Sequence, residues 1–533
     1  MRVLLVEPEY RRSSASRKRL AAESPAAPAS SARGPRGDET LWYPPLGLMK
    51  LSRFHKDRGD EVEFVSGCDP RFSPQRDLLS PSVLWDRVYI TTVFTYDFAK
   101  IVKTVNFYKS AVGGTSHKIY VGGVMASLMP RALFEATGIY PITGVLHSPA
   151  TIDMDGEVDI DGLPPDYDII DPQLYAVSDT YYGYTSRGCV NKCPWCGVPT
   201  VEPDFIPYID VKPVIRALRA AHGDKAKLKL MDNNVLASPA LEQIVGDLLE
   251  LGYGKGQFTN AESPKARVID FNQGLDATFI TEDRIGPLAE LNIKPMRIAF
   301  DRVREKGSYL RAVELANRCG FTQFSNYMLY NFDDSPRDLY ERLMVNIAIN
   351  ERWLANGERA GEIYSYPMRY APIDDAHGIR ARERRDHAPD TPTDSRDWLK
   401  DPMWTKRFVR NIEVMKGAAH GAISPTPGLA RRTIGESFEE FLANLYMPEE
   451  LLRNRNKHEL RVYEHEPRRQ PGTGLVEGFR QVILGLLPSQ GYDHLRRMYW
   501  HTRWLGASAG SARGSTRRRL PSGDGMTPET DRG

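Results

Sequence analysis

The sequence predicts an α/β protein with three parts: an amino-terminal doubly wound parallel sheet, a central partial (β/α)6 barrel and a carboxyl-terminal helical region. Three observations predict this arrangement. Strand and helix patterns alternate through residues 1–150, as in a parallel sheet that is covered on both faces. Six strand–helix repeats follow in residues 179–372. From residue 373 onwards, helical patterns continue without intervening strands.

The amino-terminal domain, residues 1–150, opens with a buried strand at residues 3–6. Residues 11–40 are rich in Ser, Ala, Arg and Pro and contain a single Leu, so we predict a disordered insertion there. Beyond it, strands are predicted at residues 62–64, 88–92 and 118–121. Helices are predicted from residue 46, at residues 98–108, and at residues 131–137 after Pro130.

An acidic linker at residues 151–178 precedes the central domain, residues 179–372. Its six strands are predicted at residues 181–185, 227–231, 268–272, 296–300, 324–330 and 363–368. The helices between them are predicted at residues 211–221, 239–251, 282–291, 309–319 and 336–354. In such barrels the chemistry gathers at the carboxyl ends of the strands, so the residues that directly follow each strand are the first candidates for a site.

The carboxyl-terminal region, residues 373–505, is predicted to be helical at residues 404–416, 434–445, 448–452 and 478–487. A low-complexity tail, residues 506–533, follows and is predicted to be disordered.

Charge and hydropathy exclude two classes of protein. Lys and Arg number 71 and Asp and Glu number 69, so the formal net charge is only +2, and a globally basic nucleic-acid-binding protein is not indicated. The longest apolar stretches, such as residues 482–487, are far shorter than the ~18 to 20 residues of a bilayer span. The first apolar run is also too short for a secretory signal. We therefore expect no membrane contact and a location in a reducing cytoplasm.

The chain has five cysteines, too few for a disulfide framework, and three of them form one motif. Cys189, Cys193 and Cys196 are spaced as CxxxCxxC directly after a predicted strand. Three thiolates on one short loop can bind three irons of a cubane iron–sulfur cluster. Because no fourth cysteine lies at a usable spacing, one iron would be left open for another ligand.

This motif, with an aromatic residue before its last cysteine and at the start of a six-fold strand–helix repeat, resembles the radical S-adenosylmethionine (SAM) superfamily. The resemblance covers residues 180–370 and implies that Cys189, Cys193 and Cys196 are the ligands of a [4Fe–4S] cluster. In that family SAM chelates the open iron, and its one-electron reduction gives a 5'-deoxyadenosyl radical. The resemblance also implies an electron donor such as flavodoxin or ferredoxin.

A structural zinc site is the alternative interpretation of the three cysteines. Zinc requires four closed ligands, so a distant residue such as His222 would have to complete the site. A CxxxCxxC triplet without a second pair fits the usual zinc spacings poorly.

The resemblance also implies cofactor-binding residues at the strand ends: Trp195, Asp232, Asn233, Asn234, Asn272, Gln273, Asp276 and Arg297. The family usually has a Gly-Gly-Glu-like turn for the SAM amino group after the second strand, where this chain has Asp232 to Asn234. The alternative there is a turn that caps the helix near Pro239.

The remaining strand ends are open to two interpretations as well. The residues after the third strand, Asn272, Gln273 and Asp276, either contact the SAM ribose or substrate or form a solvated loop. Arg297, which borders the fourth strand with Asp301, either pairs with the SAM carboxylate or forms a structural salt bridge. On the last two strands, the polar candidates for the barrel interior are Asn326, Asn331 and Arg369.

The first 150 residues resemble the cobalamin-binding-like domain that precedes the barrel in one subgroup of the superfamily. The resemblance rests on the opening strand, on Pro44-Pro45-Leu46-Gly47-Leu48 and on the Gly122-Gly123 turn, whose glycines would allow close approach of the cofactor tail. The loop after the first strand has no histidine to serve as an axial ligand. Cobalamin is therefore a possible cofactor: either it binds without that ligand or the domain has lost it.

The two isolated cysteines, Cys68 and Cys319, exclude relatives that need further clusters. The predicted function is a single-cluster radical SAM enzyme that abstracts hydrogen from a small-molecule or unknown substrate, for methylation or rearrangement. One alternative is a non-catalytic or redox-sensing iron–sulfur protein. Another is a nucleic-acid-modifying enzyme whose tail residues Arg517, Arg518 and Arg519 contact phosphate, although the near-zero net charge does not favour it.

Overall fold

The computed structural model describes residues 1–10, 42–72, 85–112, 118–356, 361–371, 373, 404–419, 421–456, 478–479 and 481–482. The predicted disordered segments, residues 11–40 and 506–533, and most of the predicted helix at residues 478–487 lie outside these ranges. The chain divides into two compact units: Met1–His387 with Ala422–Ala430, and Ala388–Gly421 with Arg431–Gly533. The segments predicted as the amino-terminal sheet and the barrel both fall within the first unit.

The amino-terminal part of the first unit contains a four-stranded parallel sheet. Its strands are β1 (Arg2–Glu7), β2 (Glu61–Ser66), β3 (Arg87–Thr92) and β4 (Ile119–Gly123), in the order β2-β1-β3-β4. The helices are α1 (Leu46–Asp57), α2 (Phe98–Tyr108), α3 (Val124–Leu128) and α4 (Pro130–Thr137). Pro130 occupies the first turn of α4, where its missing N–H leaves no hydrogen bond unmade.

Both faces of this sheet are covered, which explains the continuous apolar run of β1. Leu4 and Val6 belong to the hydrophobic cluster that includes Ile101 and Val105 of α2. Val3 and Leu5, which point to the opposite face, belong to a second cluster that includes Leu48 and Leu51 of α1. The doubly wound arrangement predicted from the sequence is therefore present here.

Six further parallel strands follow: β5 (Thr180–Gly183), β6 (Lys227–Leu230), β7 (Val268–Phe271), β8 (Met296–Arg297), β9 (Gln323–Tyr330) and β10 (Glu362–Arg369). The helices in this part are α5 (Val198–Val201), α6 (Lys212–His222), α7 (Leu241–Glu250), α8 (Glu282–Leu288), α9 (Lys306–Arg318) and α10 (Pro336–Asn356).

The six strands form two three-stranded sheets, β5-β6-β7 and β10-β9-β8. Parallel bridges from Ile269 to Ile293 and from Leu275 to Ile298 connect the two sheets at their adjacent edges. Among the described residues, β5 and β10 are edge strands, so a single barrel stays a prediction. In β6, Leu228 and Leu230 are fully buried whereas the alternate residues are lysines, so the second face of this strand is polar.

The carboxyl-terminal helices are α11 (Lys406–Lys416), α12 (Pro427–Ile434), α13 (Phe438–Tyr446) and α14 (Glu449–Arg455). The helix predicted at residues 434–445 is present but begins later, at Phe438, because Gly435 has a φ of +114° and the Ser437 side chain caps the helix by accepting a hydrogen bond from Glu440 N. In the second unit, buried Asn411 donates from its amide to the backbone oxygens of Asn444, Leu445 and Met447. None of the helices in the described ranges combines the length and apolar character that a bilayer span needs.

Candidate metal centre and cofactor site

The three-cysteine loop begins five residues after β5 ends, at a point that requires glycine. Gly188 has a φ of +71°, and a Cβ there would lie 2.2 Å from the backbone oxygen of Asp204. Arg187 and Ile206 exchange two backbone hydrogen bonds of 3.0 and 2.9 Å that fix the two ends of the loop. The backbone therefore holds Cys189, Cys193 and Cys196 on one compact segment at the carboxyl end of β5.

Two of the three cysteine sulfurs accept hydrogen bonds. Cys189 Sγ accepts one from Asn191 N at 3.3 Å and one from the Asn234 side-chain amide at 3.5 Å. Cys196 Sγ accepts one from Val198 N at 3.5 Å. Hydrogen bonds to sulfur favour the thiolate and, in iron–sulfur proteins, tune the cluster potential.

The thiols interact electrostatically with one another. Burial, with the neighbouring Cys196 and Cys189, raises the pKa of Cys193 to about 11, and burial also raises the pKa of Cys196. A bound metal reverses this balance because coordination deprotonates a thiol. In the described part of the chain, no group of three or more His, Cys, Asp and Glu side chains is already arranged around a metal position. The donor set itself, three soft thiols on one loop, fits an iron–sulfur cluster.

His222, the proposed fourth zinc ligand, lies in a different part of the fold. It ends α6, and its ring stacks on Tyr167 at a centroid distance of 5.3 Å. Its Nδ1 lies 3.7 Å from Asp168. His222 lies shortly before β6, whereas the cysteines follow β5. Because these two strands are parallel, His222 and the cysteines lie at opposite ends of the strands. The zinc interpretation with His222 is therefore not supported.

In the turn after β6, Asp232 is a buried structural anchor. Its carboxylate accepts hydrogen bonds from Thr185 N at 3.0 Å, from Thr185 Oγ1 at 2.7 Å and from Ser186 Oγ at 2.8 Å. Burial raises the pKa of Asp232, although these hydrogen bonds oppose the increase. The carboxylate thus connects the end of β6 to the start of the three-cysteine loop.

The two asparagines of this turn face the three-cysteine loop. Asn233 donates from its amide to Glu202 Oε2 at 2.7 Å. Asn234 is buried, contacts Cys189 Sγ, and has a buried Oδ1 without a hydrogen-bond partner in the described residues. The alternative that this turn caps the next helix is wrong, since α7 begins at Leu241 without a side-chain cap. An unpaired buried acceptor needs an explanation, and a bound ligand donor supplies one.

The turn after β7 divides its predicted site residues. Asn272 Oδ1 accepts a hydrogen bond from Tyr43 Oη at 2.8 Å, and the Asn272 backbone oxygen accepts one from Tyr327 Oη at 3.0 Å. Asp276 Oδ2 accepts a hydrogen bond from Asn191 of the three-cysteine loop at 2.8 Å. Gln273 is exposed. Asp276 therefore lies beside the candidate metal centre, and Asn272 lies within a network of tyrosines.

Arg297 forms the structural salt bridge that was one of its two predicted roles. Its Nε and Nη2 donate to the two carboxylate oxygens of Asp270 at 2.7 and 3.0 Å. Its Nη1 donates to Ser325 Oγ at 3.2 Å. A bidentate pair with a third hydrogen bond fills the guanidinium fork, so the structure does not favour the SAM carboxylate as its partner.

Trp195, between the second and third cysteines, packs against residues that follow β8 and β9. The Arg302 guanidinium carbon lies 4.0 Å from the centre of the indole ring, a cation–π contact. Phe332 contacts the ring at an interplanar angle of 61° and a centroid distance of 5.5 Å. These contacts fix the side chain on the loop.

Glu305, a half-buried carboxyl group in the segment after β8, is not among the residues predicted from the sequence. Its Oε2 accepts a hydrogen bond from Arg302 N at 3.2 Å. Burial, followed by the negative charge of Asp301, raises the pKa of Glu305 to about 7. A run of charged residues directly after a predicted strand was the available signal.

The polar candidates on β9 and β10 do not meet in one site. Asn326 points away from the polar face of its sheet, and its amide donates to Tyr309 Oη of α9 at 3.2 Å. Asn331 has a φ of +69° and donates to the backbone oxygen of Tyr370, while Arg369 is an exposed residue at the end of β10. The prediction that Asn326 faces a barrel interior is wrong, because the alternation along β9 directs it to the helices.

Lys229, which the sequence analysis did not select, lies on the opposite, polar face. Its Nζ donates to Tyr43 Oη at 3.1 Å and lies 3.7 Å from Asp270. The available signal was the alternation of lysine and leucine in β6, which places both lysines on the face opposite the core.

A cavity of about 240 Å³ lies within the first unit, next to the loop. It is lined by residues of α1, by the carboxyl ends of β3 and β4, and by Tyr184, Arg187 and Glu202. Among the residues that the structure describes, no histidine lines it. A Cβ on Gly123, whose φ is +110°, would lie 2.4 Å from the backbone oxygen of Thr92, so this glycine is required by the adjacent strand irrespective of any ligand.

Comparison with known proteins gives similarity to solved structures alone. No family model matches the chain, and no curated protein is detectably similar in sequence. The radical SAM methyltransferase TsrM from Kitasatospora setae, with cobalamin and a [4Fe-4S] cluster bound, has a TM-score of 0.45 at 14% identity, covering 95% of this chain and 99% of that chain. TsrM with tryptophan substrate and the SAM analogue aza-SAM bound has the same score and identity, covering 74% and 79%. OxsB, a cobalamin-dependent SAM radical enzyme, also gives 0.45 at 14%, covering 96% and 80%.

Proposed function

We propose that the chain is a radical SAM enzyme with a single [4Fe–4S] cluster that abstracts hydrogen from a small-molecule substrate. One observation carries the proposal: the three-cysteine loop lies against a turn whose Asn234 contacts Cys189 Sγ and has a buried oxygen that no described residue pairs with. When bound, the cluster would supply the electron that cleaves SAM to give the 5'-deoxyadenosyl radical. The remaining steps are the work of the chain's own side chains.

In this proposal the three cysteines bind the cluster, and the turn after β6 orients SAM. Cys189, Cys193 and Cys196 would hold the cluster, and because the loop offers no further thiol, one iron would remain available to SAM. Asn234 Oδ1, a buried acceptor without a partner in the described residues, would accept a hydrogen bond from the SAM ammonium group. The negative Asp276, next to the loop through Asn191, complements the positive charge of SAM.

The other predicted cofactor residues take two kinds of role. Trp195, Asn272 and Gln273 stay proposed contacts for SAM or substrate, and Asn233 acts through the hydrogen bond that its amide donates to Glu202. Asp232 and Arg297 instead hold neighbouring residues of the site in place, since their polar atoms already bind Thr185, Ser186, Asp270 and Ser325.

We place the substrate against the polar face of the strands, where Lys229, Arg297 and Tyr327 lie. This face adjoins Asn272, so a bound molecule there would be close to the turn that receives SAM. The electron would come from a donor protein such as flavodoxin or ferredoxin.

Cobalamin-dependent methyl transfer is a second candidate, and the cavity beside the loop favours it. The cavity lies at the carboxyl ends of β3 and β4, where open parallel sheets bind ligands. At about 240 Å³ it is smaller than the roughly 300 to 1,000 Å³ that holds a drug-sized ligand, so it would take one end of a cobalamin molecule. Since no histidine of the described segments lines it, cobalamin would bind there without an axial histidine from these segments.

Anaerobic purification followed by measurement of iron, sulfide and corrinoid in one sample tests both proposals. The single-cluster proposal requires about four irons and four sulfides per chain. Stoichiometric corrinoid favours methyl transfer, whereas its absence with an intact cluster leaves a cobalamin-independent radical enzyme. Zinc without sulfide contradicts the proposal. A cluster that never cleaves SAM identifies the redox-sensing alternative. The nucleic-acid alternative rests on Arg517, Arg518 and Arg519, which lie outside the described residues.

A further inference from the structure

Four charged side chains, two buried and two largely buried, form an ion cluster beside the three-cysteine loop. Lys50, Asp161, Arg187 and Glu202 constitute this cluster, which we call the Arg187 cluster. Asp161 accepts hydrogen bonds from Lys50 Nζ at 2.7 Å and from Arg187 Nη2 at 2.6 Å. Glu202 Oε1 accepts one from Arg187 Nη1 at 2.7 Å. Lys50 lies in α1 and Asp161 in the segment before β5, whereas Arg187 lies at the start of the three-cysteine loop and Glu202 directly follows α5.

The Arg187 cluster is neutral and almost completely buried. Its two cations balance its two carboxylates, and the side chains are between 8% and 15% exposed. Tyr184 packs under it, with the Arg187 guanidinium carbon 3.4 Å from the ring centre. Removal of one charged member of such a cluster would destabilise the fold, because the remaining charge would be left without compensation. The position of Glu202 is therefore fixed by Arg187.

Glu202 uses its second oxygen on two groups of the candidate site. Oε2 accepts hydrogen bonds from Gly188 N and from the Asn233 amide, each at 2.7 Å. Gly188 directly precedes Cys189, and Asn233 directly precedes Asn234. One carboxylate thus joins the first cysteine of the loop to the turn after β6.

The contact between Asn234 and Cys189 Sγ is a second connection between the same loop and the same turn. If the carboxylate moves, Cys189 and the turn after β6 are no longer held in position by the same side chain. A displacement of the turn carries the unpaired Asn234 Oδ1 away from the loop. Positioning errors of this kind weaken binding even when every contacting residue is retained.

We propose that Glu202, held in place by Arg187, is a positioning residue that sets the turn after β6 against Cys189 for binding of SAM. The proposal rests on the proposed function, because Glu202 has this positioning role only if the loop holds a cluster that binds SAM. It adds a requirement that the cysteine motif does not contain: a carboxylate six residues after the last cysteine, with an arginine two residues before the first.

Substitution Glu202→Gln is the sharpest test, because it keeps the size and shape of the side chain. A glutamine has one accepting oxygen and one donating NH2 group, whereas the site presents N–H donors to both oxygens. One donor must therefore face another. Glu250→Gln is the matched control: Glu250 is an exposed carboxylate with two cationic partners, Lys212 and Arg216, at the end of α7.

The measurements are iron and sulfide content after anaerobic reconstitution, SAM affinity by calorimetry, and the electron paramagnetic resonance spectrum of the reduced protein with and without SAM. We expect E202Q to retain iron and to bind SAM about tenfold or more weakly, as the loss of a charge-assisted hydrogen bond implies. The spectral change on adding SAM should also differ from that of the unsubstituted protein, whereas E250Q should match it in every measurement.

Asn233→Ala provides a second variant in case E202Q does not fold, because it removes the bridge and leaves the Arg187 cluster intact. It should also weaken SAM binding while retaining iron. Unchanged SAM affinity and an unchanged spectrum in E202Q, or in N233A where E202Q does not fold, would overturn the proposal. If the unsubstituted protein holds a cluster but binds no SAM, the proposed function fails first and Glu202 loses its role with it.

Discussion

The side-chain amide of Asn234 lies 3.5 Å from Cys189 Sγ, and this contact connects the turn after β6 to the three-cysteine loop. The same side chain keeps a buried oxygen without a partner in the described residues. Asn234 therefore meets the candidate metal centre with one end of its amide and offers an acceptor to a ligand with the other.

Asn234→Ala should leave the iron content of the reconstituted protein unchanged and lower the reduction potential of the cluster. The reason is that the variant removes a hydrogen bond to sulfur, which stabilises the more negative, reduced state. The potential is measured by redox titration followed by electron paramagnetic resonance. Asn317→Ala, which removes an amide contact to Phe321 in another part of the first unit, should have no effect on the potential. An equal shift in both variants would contradict a specific role.

Asp232→Asn should destabilise the protein before any cofactor is added. Oδ1 accepts donors from Thr185 and Ser186, and Oδ2 lies 3.2 Å from Thr185 N, so an asparagine NH2 group in the Oδ2 position would face this N–H donor in a buried position. We expect a loss of about 1 to 3 kcal/mol in the free energy of unfolding, measured by urea denaturation of the cofactor-free chain. Asp155→Asn, at an exposed position, is the control and should differ by less than about 0.5 kcal/mol.

Cys189→Ala, Cys193→Ala and Cys196→Ala should each lower the iron bound after reconstitution, whereas Cys68→Ala and Cys319→Ala should not. The first three cysteines share a loop and interact electrostatically, and the other two are far from them in sequence. Iron and sulfide analysis with the visible absorption spectrum is the measurement. Wild-type iron content in any variant of the first group would remove that residue from the ligand set.

Glu305 should make the stability of the chain depend on pH. Its pKa is raised from 4.5 to about 7 in the folded protein, so folding favours the protonated form. Its contribution to stability is fully present below about pH 4.5 and is lost as the pH rises through about 7. Glu305→Gln should remove this component, which is the difference between the two unfolding curves over that range. The exposed Glu242→Gln should leave the curve unchanged.

The fold could be predicted where the pattern is local and repeated. The apolar run of β1 and the alternation in β6 indicated strands with the burial that the structure has. Gly435 shows the limit, because the apolar periodicity places the helix start at Ile434, whereas the positive φ of Gly435 and the cap at Ser437 move it to Phe438. Closure of the six strands into one barrel depends on pairing between distant segments, which no local pattern specifies.

The candidate site could be predicted only in part, for the same physical reason. The cysteines are close in sequence, so their spacing revealed them. Glu202 and Asn233 meet across 31 positions, and Arg297 and Asp270 across 27, so these partners depend on the folded chain. Arg297 had two plausible partners in the sequence, and the structure pairs it with Asp270.

Formation of 5'-deoxyadenosine tests the central claim most directly. The anaerobically reconstituted protein is incubated with SAM and dithionite, and the product is quantified by liquid chromatography with mass detection. The account predicts 5'-deoxyadenosine in amounts that depend on the reductant, with none above background in Cys193→Ala and unchanged formation in Cys319→Ala. A fully loaded [4Fe–4S] protein that forms no 5'-deoxyadenosine under these conditions would contradict it.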